Sequence, residues 1–209
     1  MTPWIIGVDF DNTLVSYDEV MHRVAVERGL ISSDVGKGKR VIREHVRRSA
    51  EGERAWQQLQ SVVYGEQIGE AQLIDGVQAF FAQCKPAGIP VRIVSHKTEM
   101  AAWNVAGTNL RTAALAWMEQ HRFFADNGLG LSPADVFFEP TRQEKIARIR
   151  QLHCTHFIDD LEETFLEPGF PQEVEKLLFS PTAPSAALSA VRWMPSWQEI
   201  YAYFFDVSR

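Results

Sequence analysis

Two carboxylates stand two residues apart in Asp9-Phe10-Asp11-Asn12-Thr13, at the end of the apolar run Trp4-Ile5-Ile6-Gly7-Val8. While a chain is extended, side chains at i and i+2 point to the same side. Asp9 and Asp11 would then share one site and repel each other. The usual compensation for such hard oxygen ligands is a divalent cation such as Mg²⁺. A carboxylate in this setting can also attack phosphorus and carry the phosphoryl group as an aspartyl-phosphate. The bland alternative is a polar turn, with Asp11 or Asn12 capping a helix. Polar groups elsewhere in the chain decide between the two.

Phosphoryl transfer by a carboxylate has three requirements. The charge of the phosphate must be shielded from the attacking anion, the leaving oxygen needs a proton, and the developing charge needs donors. Asp9 is the candidate nucleophile and Asp11 the candidate acid, then base. Asp9, Asp11, Asp159 and Asp160 are the candidate metal ligands. Ser95, Lys145 and the backbone N–H groups after Asp9 are the candidate donors. Phe10, Asn12, Thr13, His96 and Lys97 are the candidate substrate contacts. Lys97 and Arg142 rival Lys145 for the phosphate; Lys145 is preferred because the first turn of a helix at the sheet's edge aims it inward.

These residues need a frame that brings them together. Ile5, Ile6 and Val8 have the β-branched, continuous apolar character of a strand buried on both faces. Further strands are expected at 90–95, 135–138, 155–158, 176–179 and 191–194. Helices are expected at 17–28, 38–49, 51–64, from Asp75 or Gly76 to 84, and at 98–105, 110–122, 142–152 and 197–205. Gly29 and Gly65 stop the first and third of them, Thr141 through Glu144 forms a capping box, and Ser196 caps the last. Strands separated by helices of this length imply right-handed crossovers in an α/β fold, a Rossmann-like parallel sheet flanked by helices. In such a sheet Asp9, Asp11, Ser95 and the Asp159-Asp160 pair all lie along one edge, with Lys145 near it. Residues 1–15 and 73–209 form that core, and 16–72 form a small α-helical insertion.

In this order the motifs resemble those of the haloacid dehalogenase superfamily, predominantly Mg²⁺-dependent phosphohydrolases on a Rossmann-like sheet. Asp9-Phe10-Asp11-Asn12-Thr13 resembles the first motif, whose first Asp is the nucleophile and whose second is the general acid and base. Ser95 after Val91-Arg92-Ile93-Val94 resembles the second, Lys145 the third, and Ile158-Asp159-Asp160 the acidic fourth. The insertion resembles the helical cap that many members close over the site and that sets their substrate choice. Asp11 favours phosphatase chemistry, since members that dehalogenate organic acids lack that second acid and phosphate-transporting ATPases have Thr there. The fourth motif is a bare Asp-Asp followed by Leu161-Glu162-Glu163, so Asp160 and Glu163 both remain candidates for the second metal contact.

Composition bounds the rest. The net charge of −6 over 209 residues argues against general nucleic-acid binding. The two cysteines, Cys84 and Cys154, have no metal-ligand spacing and read as buried thiols. His153 and His156 beside Cys154 make a poor ligand set and read as structural. No run has the length of a membrane span and no early segment reads as a secretory signal, so a cytoplasmic location is expected. Residues 36–48 carry six basic side chains against Glu44 alone, a local charge of +5. A solvated helix face is the default for such a run, and contact of Lys37, Lys39 or Arg40 with an anionic part of the substrate is the alternative. The four aromatic residues Trp103, Trp117, Trp193 and Trp197 read as core or helix packing. The reading is a phosphomonoester hydrolase for a small phosphorylated metabolite such as a sugar phosphate or nucleotide. A non-catalytic phospho-ligand or partner-binding module and a phosphotransferase are the alternatives, and the oligomeric state is left open.

Overall fold

The strand β1, Ile6–Val8, is buried along its whole length. A strand covered on both faces must be flanked by others, because each buried N–H and C=O needs a partner. On one side β1 pairs with β2, Val91–His96, and on the other with β4, His156–Asp159. The strand β3, Val136–Glu139, extends the sheet beyond β2; β5, Glu175–Phe179, and β6, Arg192–Met194, extend it beyond β4. The order is β3-β2-β1-β4-β5-β6, with every neighbouring pair parallel. The structure, a computed structural model, describes residues 3–101, 103, 107–185 and 190–206.

This order is Rossmann-like, and it carries a positional consequence. The chain winds from β1 outward through β2 and β3, then returns to the other side of β1 with β4. Ligands of open α/β sheets bind beyond the carboxyl ends of the strands where the winding reverses. Here that place lies between β1 and β4. Asp9 directly follows β1 and Asp159 ends β4, and the Asp9 N–H donates to the Ile158 carbonyl at 2.9 Å, so strand pairing continues to the acid itself.

The chain divides into two compact units. The first holds the stretch ending at Leu14, Leu73–Lys97, and the chain from His121 onward, including the six-stranded sheet. Its helices are α4, Val77–Cys84, α6, Arg142–Gln151, the short α7, Glu162–Leu166, and α8, Trp197–Phe205. One core cluster joins Val94, Ile146, Ile149, Phe157, Phe165, Phe170 and Leu178. Another is aromatic: Phe80 lies 5.1 Å from Trp197 and 5.5 Å from Phe204, between ring centres. Thr141 and Ser196 cap α6 and α8 as expected, each hydroxyl accepting the N–H of the Glu three residues on, at 3.1 and 3.2 Å.

The second unit holds Val15–Gln72 together with Thr98–Gln120. Its helices are α1, Asp18–Glu27, α2, Lys39–Val46, α3, Gly52–Tyr64, and α5, Leu110–Gln120. Each buries residues at helical spacing: Val20 and Val24, Ile42 and Val46, Trp56, Leu59 and Val63, Leu110, Ala114 and Trp117. The inclusion of α5 differs from the sequence expectation, which placed 73–209 in the core. The buried Trp117 indole N–H donates to the Ala71 carbonyl at 3.0 Å, which ties α5 to the helical insertion. Three of the six basic side chains of the run form ion pairs within this unit: Lys37 with Glu19 at 2.7 Å, Arg47 with Glu53 at 2.7 Å, and Arg40 with Glu44 at 3.9 Å.

Other departures from the sequence reading are local. The stretch 98–101 is not helical, because the Thr98 hydroxyl donates to the Met100 carbonyl at 2.9 Å and the Glu99 carbonyl accepts from the Leu110 N–H at 2.7 Å. Such side-chain and turn bonds compete with the helical ladder. The rest of the helix expected there lies partly outside the described residues, as does part of the small-residue loop at 180–190. Two-residue strands, Val15–Ser16 and Gln72–Leu73, pair at the two ends of the insertion, which the sequence reading takes as α-helical. Among the described residues no helix is long and apolar enough to cross a membrane.

Gly7 marks how tightly β1 is enclosed. A Cβ at this position would lie 2.5 Å from the Phe157 ring and 3.0 Å from the Cys154 sulfur. Neither neighbour has room to give, since both are buried in the core. We expect Gly7→Ala to destabilise the protein by about 1–3 kcal/mol, the range for overpacking a close-packed interior; thermal denaturation beside the parent protein measures this.

Candidate active site

The side chains that converge at the β1–β4 reversal come from distant parts of the sequence. Lys145 lies in the first turn of α6 and is 2% exposed. Its ammonium donates to Asp9 Oδ1 and to Asp159 Oδ2, both at 2.6 Å. The second oxygen of Asp159 accepts the Leu161 N–H at 2.9 Å. The Asp160 carboxylate lies 3.5 Å from the Thr13 hydroxyl, which is oriented to donate to it. One oxygen from each of Asp9, Asp159 and Asp160 lies within 4.8 Å of the others.

Electrostatics make this group a fit for a cation. Three carboxylates gather with one ammonium, which pairs with two of them, and Asp9 and Asp159 are removed from water. Burial raises the Asp9 pKa to about 6, against the attraction of Lys145 and with the repulsion of Asp159 added. Burial opposes the charge on Lys145, but Asp159 and Asp9 more than offset that and hold its pKa above the ordinary lysine value. A divalent cation would relieve the remaining repulsion, and an all-oxygen donor set of carboxylates suits Mg²⁺. Among the described residues this is the one group of His, Cys, Asp and Glu side chains placed to hold a metal.

Asp11 stands outside that group, although its spacing from Asp9 suggested a shared ligand set. The chain is not extended past Phe10: the N–H groups of Thr13 and Leu14 both turn back to the Phe10 carbonyl, at 3.4 and 3.0 Å, and Asn12 takes a left-handed conformation with φ of 61°. The i, i+2 geometry is therefore lost. Asp11 is instead held by Lys97, whose ammonium donates to its two oxygens at 3.1 and 2.8 Å. Glu163 is not a member of the acidic group either, so Asp160 is the residue beside Asp159 that the fold presents.

The remaining candidates occupy distinct positions. Ser95 is buried near the end of β2, opposite Phe138. The exposed His96 ring meets the Pro140 carbonyl, with Nε2 at 3.1 Å. Arg142 pairs with Glu167 at 2.9 Å, and Lys97 with Asp11, so of the three basic rivals Lys145 is the one bonded to Asp9. The Phe10 side chain is fully buried and packs edge-on against Phe138, leaving its backbone as the part able to meet a ligand. His156 bonds the Thr155 hydroxyl at 2.9 Å and lies among Trp4, Tyr203 and Phe204, a structural histidine.

Trp197 has a role that its packing alone did not disclose. Its indole N–H donates to the Thr13 carbonyl at 2.8 Å, so the last helix of the sheet unit ties down the loop that carries Asp11. A buried indole must find an acceptor. Which carbonyl it finds depends on the fold.

Comparison with solved structures places the fold. A haloacid dehalogenase-like family hydrolase from Streptococcus pneumoniae is 18% identical, with a TM-score of 0.61 over 98% of this chain and 100% of that one. A haloacid dehalogenase hydrolase of family IA, variant 3, from Entamoeba histolytica is 12% identical, with a TM-score of 0.57 over 94% of each chain. A haloacid dehalogenase family hydrolase from Deinococcus radiodurans, with bound phosphate and sodium, is 16% identical, with a TM-score of 0.53 over 99% of this chain and 97% of that one. No protein-family model matches the sequence, and a comparison with curated proteins found no match. The chain shares the fold of these haloacid dehalogenase-like hydrolases.

A cation bound by Asp9, Asp159 and Asp160 requires Asp9 to be ionised. With the metal-free Asp9 pKa at about 6, we expect Mg²⁺ to bind more weakly at pH 5.5 than at pH 7.5 and to displace protons from the protein at the lower pH. Titration calorimetry in two buffers of different ionisation enthalpy reads both quantities.

Proposed function

We propose that this chain, built on the haloacid dehalogenase-superfamily fold, is a Mg²⁺-dependent phosphomonoester hydrolase that works through an aspartyl-phosphate. The observation that carries this reading is the placement of Asp9. It lies at the β1–β4 reversal with one oxygen bonded to Lys145, while a second carboxylate two residues on is held separately by Lys97. A site that only bound phosphate would have no need of a carboxylate facing the anion. A nucleophile and a separately placed acid are what transfer through an enzyme-bound ester requires.

In the first half-reaction Asp9 attacks phosphorus through an oxygen, the bond from phosphorus to the leaving oxygen breaks, and Asp11 gives that oxygen its proton. In the second, water attacks the phosphorus of the aspartyl-phosphate, Asp11 takes the water's proton, and the Asp9 carboxylate leaves, releasing inorganic phosphate. Lys145 holds Asp9 in place and stabilises charge on the transferring group, with Ser95 and the backbone N–H groups after Asp9 as further donors. Asp9, Asp159 and Asp160 would hold Mg²⁺, which when bound supplies positive charge between the nucleophile and the phosphate. The substrate is a small phosphorylated metabolite. Asp11 favours this chemistry over dehalogenation, where no leaving oxygen has to be protonated.

The test is phosphate release from a panel of phosphomonoesters, with and without Mg²⁺, with Asp9→Asn beside the wild type. We expect release that requires Mg²⁺ and that falls by at least about 10³-fold in Asp9→Asn, as expected when a nucleophile is removed. Release that survives in Asp9→Asn would rule out the covalent route.

A further inference from the structure

We propose that Lys97 is a positioning residue, acting on the reaction by holding Asp11 and not by touching the substrate. The inference rests on the hydrolase reading for what Asp11 does, and on the geometry alone for what Lys97 does. Its ammonium bonds both oxygens of Asp11, at 3.1 and 2.8 Å, across 86 positions of sequence. The Lys97 side chain is 2% exposed, whereas that of Asp11 is 19% exposed. A lysine ammonium ordinarily keeps its water, and one removed from water needs a carboxylate to offset the loss. The partner is the candidate acid.

Lys97 is itself fixed from several directions. Its N–H donates to the Glu139 carbonyl at 2.9 Å, which anchors the backbone just past β2 to the end of β3. The Glu139 side chain accepts from Arg148 Nε at 2.7 Å. The Lys97 ammonium lies over the Phe10 ring at 5.6 Å, and Phe10 packs against Phe138 at 6.1 Å. An aromatic face beneath the cation adds attraction and limits where it can move. The sequence neighbour of Asp11 thus forms one wall of the slot, and the end of β3 forms another.

Asp11 gains from such a hold because it lies in the turn that follows Phe10, beyond the end of β1, with its side chain 19% exposed. A partly exposed aspartate turns freely about its side-chain bonds, and two hydrogen bonds to one carboxylate fix both torsions. Proton transfer requires a heavy-atom approach of about 2.6–3.2 Å. Other donors stand ready for a phosphate: Lys145 beside Asp9, and Ser95 near the end of β2.

A kinetic double-mutant cycle tests this. We expect Lys97→Met to lower kcat about 10²-fold while KM stays within about twofold, the signature of a misplaced catalytic group. In an Asp11→Asn background, Lys97→Met should cause no further loss, because a residue that acts only through Asp11 has nothing left to act on. Losses that multiply in the double variant, or a raised KM with kcat kept, would overturn the proposal in favour of direct substrate contact. A second measurement does not depend on activity or on the folding of Lys97→Met. In protein labelled with ¹⁵N-lysine, Asp11→Asn should shift one buried ammonium signal and Asp9→Asn the other; no response to Asp11→Asn overturns the pairing. Wild-type protein without Mg²⁺-dependent turnover would instead remove the hydrolase reading, whatever the ammonium signals do.

Discussion

The concentration of negative charge at the end of β1 and β4 is the constraint around which the sheet unit is arranged. Taking a carboxylate out of water costs several kcal/mol even after relaxation. Asp9 and Asp159 are both buried, close to one another and to Asp160. The fold meets this with Lys145, with the Leu161 N–H on Asp159 and with the Thr13 hydroxyl near Asp160. Among the described residues no buried side-chain nitrogen or oxygen lacks a hydrogen-bond partner. Buried ion pairs of this kind are weak evidence for stability, since apolar residues of the same volume often do as well. Their presence where the winding of the sheet reverses, the place where open α/β sheets generally bind ligands, argues for chemistry.

Two acids that are near neighbours in sequence end in different surroundings. The turn at Phe10 through Thr13 sends Asp9 toward Lys145 and Asp11 toward Lys97. Each carboxylate has its own lysine, and each lysine is delivered by a different element: the start of α6 for one, the end of β2 for the other. Groups of one chemical type take separate roles when their environments are pushed apart. The left-handed Asn12 is the backbone feature that accompanies this separation, and the bond from Trp197 to the Thr13 carbonyl holds the turn in place.

In the helical unit the energetics have a different character. Its helices bury narrow apolar stripes and a few large aromatics such as Trp56 and Trp117. The basic run meets acids in pairs whose side chains are largely exposed, as with Lys37 and Glu19. Exposed pairs contribute little to stability. Lys37, Arg40 and Arg47 thus form exposed pairs on the surface of this unit, and α5 gains its place in it through apolar burial and the Trp117 bond to Ala71.

Much of the sheet unit could be read from the sequence, because its signals are local. The apolar run of β1, the caps at Thr141 and Ser196, and the β-branched run of β2 each specify an element within a residue or two. The parallel arrangement follows from alternating strands and helices, and with it the edge where Asp9, Ser95, Lys145 and Asp159 gather. What escaped the sequence was pairing between residues far apart in the chain. Lys97, Arg142 and Lys145 are equally cationic on paper; only the tertiary structure assigns them to Asp11, Glu167 and Asp9. The i, i+2 spacing of Asp9 and Asp11 suggested one shared site because extended geometry was assumed past Phe10, and the turn there removed that premise. The membership of α5 was hidden for a similar reason, since an amphipathic helix shows which face it buries but not against what. Local propensity and periodicity determine elements, whereas side-chain partners are set by three-dimensional proximity, which the sheet order creates.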